Sequence, residues 1–333
     1  MKVLRHIGYG DIATALRLDD EPEPIPGPGE VVIRMEVAPL QKSEILNLAD
    51  PQRIPPDKLP RICGSEGVGC VVAKAADVTS FALGDRVFAP KYAGLLREFM
   101  PAQAESCFPA PRDCAAEKLC IVSTMGLTSW LLLQDYVQLP AGSWIIQDAA
   151  NSSIGRVIIG MARARGLRTV NVVRRTGLDH DLKFLGGDVV VVDPGDPEAL
   201  AAMVTKATDN AEIKVGLDMI GGDLAGRIAR CLAPGGTLVL YGGSGPDAAR
   251  IDFMDLHRRD LRVTGMGMSR SFNKRSPAEK TEVYHTIGRM AAEGVIKTNI
   301  AAAYRLEDYR AAFAHVSRPD SHRDGKVIFR FDN

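Results

Sequence analysis

Residues 144–175, WIIQDAANSSIGRVIIGMARARGLRTVNVVRR, decide the fold. The apolar run WIIQDAA (144–150) predicts a buried strand, a helix is expected from Ile154 to about Ala164, and TVNVV (169–173) predicts a second strand. The loop between strand and helix contains only small residues. Such a loop lets the backbone approach a pyrophosphate, whose charge the helix N-terminus stabilises. The unit therefore predicts the first half of a dinucleotide-binding domain.

The same alternation of strands and helices continues along the chain. Apolar runs at 189–192, 214–220, 237–243 and 261–267 predict four more strands, with helical segments between most of them. Nearly continuous apolar strands that alternate with helices are typical of a parallel sheet covered on both faces. We expect an α/β fold with a six-stranded doubly wound Rossmann domain over 123–267.

The segments on either side of this domain have a different pattern. Residues 1–122 contain β-branched runs, such as VVIRMEV and GVGCVVAKA, between turns rich in proline and glycine, which suits a barrel or sandwich. The stretch SRSFNKR (269–275) is expected to be a charged loop, and a helix should begin at Pro277. A last strand, KVIFRF (326–331), ends the chain. Because 268–333 continues none of the Rossmann pattern, we expect it to fold back onto 1–122, which makes the Rossmann domain an insertion.

Two arginines follow the second predicted strand. Folds that bind NAD usually place an acidic residue about 20 residues past the glycine turn, where it accepts from the ribose 2′-hydroxyl. Here that position holds Arg174 and Arg175. Because arginine forms charge-assisted bidentate contacts with phosphate, the pair predicts NADPH as the cofactor. The alternative is a solvated basic helix start. YGGSG (241–245) follows the fifth strand and could pass close to the nicotinamide, or it could be an ordinary glycine-rich strand exit.

The composition excludes several classes of partner. The 41 basic and 41 acidic residues cancel, so no overall field attracts nucleic acid or an anionic membrane. We expect no apolar stretch near the ~20 residues that span a bilayer, and no targeting leader, which favours a cytoplasmic protein. The six cysteines form no CxxC pair and are expected to be reduced thiols. Cys107, Cys114 and Cys120 are interpreted as core residues, with a structural metal site as the weaker alternative.

These features together resemble the medium-chain dehydrogenase/reductase superfamily. The inserted domain order, NSSIG (151–155), the YGG after the fifth strand and the terminal GKVIF (325–329) carry the resemblance, which runs over essentially the whole chain. Within the superfamily the chain looks most similar to mitochondrial-type 2-enoyl thioester reductases, with quinone oxidoreductases as the alternative. The resemblance implies a GroES-like β-barrel substrate domain and a homodimer formed through the Rossmann domain.

The resemblance also implies which residues contact the cofactor. The pyrophosphate would lie on the turn formed by Asn151, Ser152, Ser153 and Ile154, and the 2′-phosphate on Arg174 and Arg175. Lys326 would approach the cofactor. The nicotinamide would lie between two glycine-containing segments, which consist of Tyr241, Gly242, Gly243 and Ser244 and of Met266, Gly267 and Met268.

The zinc ligands of related alcohol dehydrogenases are absent from the matching positions. Those enzymes carry a cysteine early in the barrel and a Gly-His-Glu motif, whereas this chain has APLQKSE (38–44) and Gly64-Ser65-Glu66. Neither position offers a typical zinc ligand of nitrogen or sulfur type. We expect no catalytic metal.

The chain also departs from the enoyl thioester reductases at their proton-donating tyrosine. The matching stretch LADPQRIPPDKLP (48–60) contains no tyrosine and places Arg53 there. An arginine cannot donate a proton at neutral pH, but it can stabilise a developing enolate. Tyr92, or water, is the expected donor; the alternative is that Tyr92 only packs its ring at the rim. Gln41 and Glu44 replace an asparagine and an aspartate of the family and are expected to shape the site.

The leading hypothesis is an NADPH-dependent, zinc-independent reductase of an activated C=C bond in an enone or enoyl thioester. The alternatives are an NADPH:quinone reductase and an NADPH-binding protein with little turnover. The basic stretch at 269–275 could meet a phosphate-bearing substrate such as a coenzyme A ester, or it could be a solvated loop.

Overall fold

The computed structural model describes residues 1–243, 245, 247–318 and 325–331. The chain forms two compact units. Unit 1 comprises Met1–Thr124, Ala278–Gly294 and Thr298–Asn333, and unit 2 comprises Met125–Pro277 and Val295–Lys297. The domain limits inferred from sequence, 122 and 267, remain a prediction; in the structure the segment from 268 to 277 groups with unit 2.

The strands and helices are numbered in chain order. The strands are β1 (Lys2–His6), β2 (Leu16–Asp20), β3 (Glu30–Pro39), β4 (Arg61–Ile62), β5 (Val68–Lys74), β6 (Arg86–Phe88), β7 (Phe99–Gln103), β8 (Phe108–Pro109), β9 (Trp144–Gln147), β10 (Arg168–Val173), β11 (Val189–Val192), β12 (Ile213–Asp218), β13 (Thr237–Leu240), β14 (Arg262–Gly265), β15 (Ile300–Tyr304) and β16 (Lys326–Arg330). The helices are α1 (Ile12–Ala15), α2 (Lys42–Ala49), α3 (Ala116–Leu119), α4 (Leu127–Asp135), α5 (Ser153–Ala164), α6 (Asp179–Phe184), α7 (Pro197–Ala207), α8 (Gly222–Arg230), α9 (Phe253–Arg259), α10 (Met268–Asn273), α11 (Pro277–Ala292) and α12 (Tyr309–Val316).

Unit 2 is built on a parallel sheet with the order β11-β10-β9-β12-β13-β14. This is the doubly wound Rossmann order, and it confirms the fold class predicted from the sequence. The strands are apolar because the sheet is buried: Ile146, Val170 and Leu238 are fully buried. The strand order reverses between β9 and β12, and in such sheets ligands bind at the carboxyl ends of the strands on either side of the reversal.

Unit 1 is a mainly antiparallel β structure made from both ends of the chain, with one parallel pair, β15 and β16. One sheet has the order β15-β16-β3-β5-β6-β8, with β7 also paired to β3, and a smaller sheet has the order β2-β1-β4. The last strand pairs antiparallel with β3, with Ile328 opposite Pro39. The C-terminal segment therefore returns to the N-terminal unit, as the sequence pattern indicated. Strand β15 was not predicted, because IAAAY contains three alanines and only one β-branched residue, Ile300.

The expectation of a charged loop at 269–275 was wrong. Helix α10 covers most of this stretch, and its basic side chains have partners within unit 2. The Arg275 guanidinium lies 2.5 Å from Asp135 and 5.1 Å from the ring centroid of Trp130. The Arg270 guanidinium donates to the Gly265 carbonyl at 2.5 Å. Because Arg275 is paired with Asp135 and Arg270 is hydrogen-bonded to the backbone, these two side chains are not simply solvated, and most of the segment is helical.

The expectation that no stretch approaches membrane-spanning length was also wrong. Residues 116–135 form a 20-residue helical stretch through α3, one π-helical turn and α4, and this stretch is apolar enough to cross a bilayer. However, 61% of its most apolar 18-residue segment is buried inside the fold. Burial of this kind is typical of a core helix, and the stretch is weak evidence for a membrane span.

The cysteines are free thiols. Cys107 and Cys120 are buried, and burial raises the pKa of both thiols, that of Cys107 to about 12. Neutral buried thiols behave as small apolar side chains. Within the described residues, no group of three His, Cys, Asp or Glu side chains is arranged to hold a metal ion.

Candidate functional site

The turn between β9 and α5 contains the four predicted pyrophosphate residues. Ser152 caps α5, since its side chain accepts from the Gly155 amide at 3.1 Å. A Cβ on Gly155 would lie 2.7 Å from backbone atoms of Ala149 and Ala150, so only glycine allows the helix to begin this close to the strand. Asn151, Ser152 and Ser153 are partly exposed, whereas the Ile154 side chain is buried. Ile154 can therefore offer only its backbone amide to an anion.

The two predicted selector arginines lie at the same edge of the sheet as this turn. Arg174 and Arg175 directly follow β10, and both are exposed. The Ala150 amide donates to the Val172 carbonyl at 3.3 Å, which ties the turn to the end of β10. The two arginines thus follow a strand whose end is hydrogen-bonded to a turn of the phosphate-binding type.

A pair of buried carboxyl groups lies at the point where the strand order reverses, and the sequence analysis did not find it. Asp148 follows β9, Asp218 ends β12, and both are fully buried. The Asp148 carboxyl accepts from the amides of Met219 at 2.8 Å and Ile220 at 3.2 Å. Burial raises the pKa of Asp148 well above its usual value, and the hydrogen-bonded Asp218 carboxyl raises it further. Because a neighbouring carboxyl group disfavours a second negative charge, Asp148 keeps its proton to a higher pH than usual.

The predicted nicotinamide residue Tyr241 contributes to this buried site. Its hydroxyl is buried without a hydrogen-bond partner among the described residues. Burial raises its pKa well above the usual value, and the charges of Asp148 and Asp218 add to the effect. Tyr241 is therefore a neutral phenol whose donor is available to a bound group.

The other predicted nicotinamide residues lie on two neighbouring strand exits. Gly242 and Gly243 follow β13 and are exposed, and a Cβ on Gly242 would lie 2.7 Å from the Met219 carbonyl. Met266 is buried, with its amide donating to Leu240 at 2.8 Å. Gly267 follows Met266 and begins α10, and the sulfur of Met268 accepts from Thr128 at 3.3 Å. Ser244 lies outside the described residues.

In unit 1 two predicted residues, Gln41 and Lys326, belong to one buried polar network. The Lys326 ammonium donates to the Gln41 side-chain oxygen at 2.5 Å, and the Gln41 amide group donates to Glu66 and, at 3.3 Å, to Thr124. The Thr124 amide donates to Glu66 at 2.8 Å, and its hydroxyl also donates to Glu66. The network therefore holds the Lys326 ammonium against Gln41, a residue 285 positions earlier in the chain.

Glu66 is the centre of this network, and the sequence analysis considered it only as part of the missing zinc motif. Its side chain is fully buried, and burial raises its pKa, although its hydrogen bonds and the Lys326 charge oppose the shift. The signal that could have revealed it is an acidic residue inside the otherwise small and apolar run CGSEGVG (63–69). Glu44 is a second buried acid, which accepts from the Ser65 hydroxyl at 3.1 Å.

The predicted proton donor and the predicted enolate-stabilising residue lie elsewhere in unit 1. The Tyr92 side chain is 58% exposed, and its amide donates to the Ser65 carbonyl at 2.8 Å. The neighbouring protein still removes water from the phenol, which raises its pKa, and Glu66 and Glu44 contribute. Arg53 is exposed, and its guanidinium donates to Asn47 at 3.2 Å. Among the described residues, the hydrogen bonds of Arg53 are therefore local to the end of α2 and do not join it to Gln41 or Tyr92.

An antiparallel β unit together with a Rossmann unit that carries a phosphate-type turn defines the class of two-domain, nucleotide-dependent dehydrogenases and reductases. Comparison with known families agrees with this class. Residues 27–147 match the alcohol dehydrogenase GroES-like domain, and residues 185–329 match a domain described as zinc-binding dehydrogenase.

Named relatives cover almost the whole chain. The mitochondrial enoyl-[acyl-carrier-protein] reductase of Rattus norvegicus is 30% identical over 328 residues, which cover 96% of this chain and 86% of the relative. The corresponding enzyme of Dictyostelium discoideum is 31% identical over 287 residues, covering 84% of this chain and 81% of the relative. The chain belongs to the medium-chain dehydrogenase/reductase superfamily, which confirms the resemblance seen in the sequence.

Solved structures agree on the fold. An NADPH:quinone reductase from Bacillus thuringiensis superposes with a TM-score of 0.86 at 23% identity, covering 99% of this chain and 98% of that one. The quinone oxidoreductase of Escherichia coli complexed with NADPH gives 0.83 at 20% identity, covering 99% and 100%. A mutant enoyl thioester reductase from Candida tropicalis gives 0.80 at 19% identity, covering 99% of each chain.

Proposed function

We propose that this chain is an NADPH-dependent, zinc-independent reductase of an activated C=C bond in an enone or enoyl thioester. The observation that carries the proposal is the pair of exposed arginines, Arg174 and Arg175, at the sheet edge that holds the phosphate-type turn. The names of the relatives, which are enoyl reductases, support the choice of substrate class.

The residues of unit 2 fit the cofactor. The backbone amides at the start of α5 would hold the pyrophosphate, and the two arginines would hold the 2′-phosphate. The buried Tyr241 hydroxyl, which lacks a partner among the described residues, would serve the nicotinamide half together with Gly242, Gly243 and the segment 266–268. When bound, NADPH supplies the hydride. A substrate conjugated to a carbonyl can accept it without a metal, because the carbonyl delocalises the resulting charge.

The unit 1 network suits a site that stabilises negative charge. Gln41 keeps the Lys326 ammonium in place, and the ammonium can stabilise an anionic oxygen or the cofactor by charge. Glu66 keeps Gln41 and Thr124 in place, so it acts as a positioning residue. We assign Gln41 the same indirect role and keep Arg53 as a candidate for enolate stabilisation, which requires its side chain to leave Asn47.

The function is tested by mixing the protein with NADPH and a panel of enones, crotonyl thioesters and quinones in a stopped-flow instrument. We expect oxidation of NADPH by a crotonyl thioester or an enone, with deuterium from labelled NADPH recovered at the β-carbon. If only the quinones oxidised NADPH, the protein would be an NADPH:quinone reductase, and the proposed C=C reduction would be wrong. That second candidate is favoured by the absence of tyrosine from residues 48–60. Tight NADPH binding without any oxidation would identify a binding protein.

We further propose that the protein is a homodimer joined at the outer edge of the unit 2 sheet. Strand β14 is an edge strand, and near it in sequence lie four exposed apolar side chains: Phe253, Met254, Leu256 and Val263. The amides of Arg262 and Met266 donate inward to β13 and its preceding turn, so the Val263 amide points outward, available to a second strand.

We also propose that the dimer acts in the cytoplasm; recovery of the protein in a mitochondrial fraction, where the named relatives reside, would contradict this.

Val263→Pro should convert the dimer into a monomer, because proline removes the outward amide without breaking the inward ladder. Sedimentation velocity should report a species near 35.9 kDa for this variant and about twice that mass for the wild type. The control Val263→Thr keeps the amide and should remain dimeric. A monomeric wild type would refute the dimer, and a dimeric proline variant would refute this interface.

A further inference from the structure

The loop 89–95 in unit 1 is held by its backbone against the segment that carries Glu66. The Ala89 amide donates to Gly67 at 3.1 Å, the Tyr92 amide to Ser65 at 2.8 Å and the Leu95 amide to Gly64 at 3.3 Å. These three bonds fix the position of the side chains on the loop relative to the neighbouring segment.

The approach of the two segments is too close for any residue but glycine at one point. Gly64 has a φ of +104°, and a Cβ there would lie 2.6 Å from the Leu96 amide nitrogen and 2.7 Å from that of Leu95. Because a Cβ at residue 64 would meet backbone atoms of the loop, only glycine allows the two segments to pack this closely.

Lys91 lies on the loop 89–95. Its side chain is partly buried, and the Glu66 carboxylate acts on its charge. Burial lowers the pKa of Lys91 to about 8, and Glu66 opposes this shift. Among the described residues, the Lys326 charge also acts on Glu66, and the Glu44 charge acts on the neighbouring Tyr92.

We propose that Lys91 is the proton donor to the α-carbon in the reduction assigned above, an inference that rests on the proposed function. Of the candidate donors Arg53, Tyr92 and Lys91, Lys91 is the best suited. Arg53 cannot donate at neutral pH, and the raised pKa of Tyr92 makes its phenol a weaker acid. A donor whose pKa lies near the working pH is the most effective general acid.

The proposed step balances. Hydride addition forms a C–H bond at the β-carbon, and the C=C π electrons move to make an enolate. As the enolate carbonyl re-forms, the α-carbon takes a proton from the Lys91 ammonium, which becomes a neutral amine. Water then returns a proton to the amine, so one NADPH and one proton are consumed for each C=C bond reduced.

The first test uses the cofactor-free protein. Trace acetylation of the lysines between pH 6 and 10, read by peptide mass spectrometry, should give a midpoint near pH 8 for Lys91. Lys58 is an exposed reference on the same unit, 69% accessible. A Lys91 midpoint that coincides with that of Lys58 would overturn the inference.

The second test uses turnover. Lys91→Met and Lys91→Arg should each lower kcat about 100-fold, in line with the usual contribution of a general acid. NADPH binding should change less than twofold, measured by fluorescence titration. Because Lys91 must be protonated to donate, wild-type kcat should fall above about pH 8, and this decline should be absent from both variants.

Tyr92→Phe removes the other candidate donor on the same loop, and the decline in kcat above about pH 8 should persist in this variant. If the decline were instead lost in Tyr92→Phe and kept in Lys91→Met, the proton donor would be Tyr92; this result would overturn the inference but leave the proposed function standing. A wild type that oxidises NADPH with none of the acceptors in the panel would overturn the proposed function, and the inference with it.

Discussion

Replacing Arg174 and Arg175 together by alanine should weaken NADPH binding about 100-fold and leave NADH binding nearly unchanged. Each guanidinium can make a charge-assisted hydrogen bond to a 2′-phosphate, worth roughly 1.5–3 kcal/mol, and exposure to solvent reduces the total. NADH has no phosphate at this position, so it loses nothing. Isothermal titration calorimetry with both cofactors measures the difference, which should shrink as salt is added because salt screens exposed charges.

Arg168→Ala is the matched control for this pair. Arg168 is an exposed arginine at the other end of β10, where it pairs with Asp188 at 3.2 Å and lies over the Trp144 ring. Its removal takes away one positive charge, half of what the double variant loses, and should leave the preference for NADPH intact. Equal losses for NADPH and NADH in the double variant would show that the arginines do not read the phosphate.

Asp148→Asn should make unit 2 increasingly stable relative to the wild type as the pH rises. Asp148 has a folded-state pKa well above its usual value, so its proton favours the folded state. The stability that this proton provides is complete below about pH 4 and is lost as the pH rises toward the folded pKa. Over that interval the loss is about 1.4 kcal/mol per pH unit, because each unit corresponds to that free energy per proton. Asparagine carries no such proton, so the variant avoids the loss.

Both tryptophans, Trp130 and Trp144, lie in unit 2, so their fluorescence during urea denaturation reports this unit. Asparagine keeps one acceptor for the Met219 and Ile220 amides that Asp148 now binds, which adds a cost of about 1 kcal/mol at every pH. The diagnostic is therefore the slope with pH. Asp181→Asn, at an exposed position of the same unit, should show no slope. A pH-independent difference for Asp148→Asn would mean that the pair holds no extra proton.

Much of unit 2 could be predicted from sequence because its information is local. Strands β9, β11 and β13 are short, mostly apolar runs, and the order of a doubly wound sheet follows from the alternation of strands with helices. The pyrophosphate turn and the two arginines could be predicted for the same reason: they lie within one strand-helix-strand unit.

The parts that the sequence analysis missed depend on contacts between distant residues. Asp148 and Asp218 are 70 positions apart and meet only because β9 and β12 are neighbours in the sheet. Gln41 and Lys326 meet only because β16 pairs with β3. The stretch 269–275 was interpreted as a loop because its charge suggested solvent, whereas Asp135 and Trp130 neutralise it. No periodicity within a short window contains any of these pairings.

The pairing of β16 with β3 has a consequence for synthesis. On the ribosome, all residues of unit 2 are made before the strand that completes the larger sheet of unit 1 emerges. The part of β3 that pairs with β16 is therefore uncovered in every nascent chain until residues 326–330 have been made, and an uncovered edge strand invites association with other chains. Premature termination shortly before residue 326 would release a polypeptide with a complete nucleotide-binding unit and a permanently open β edge, so we expect such fragments to depend on chaperones or to aggregate.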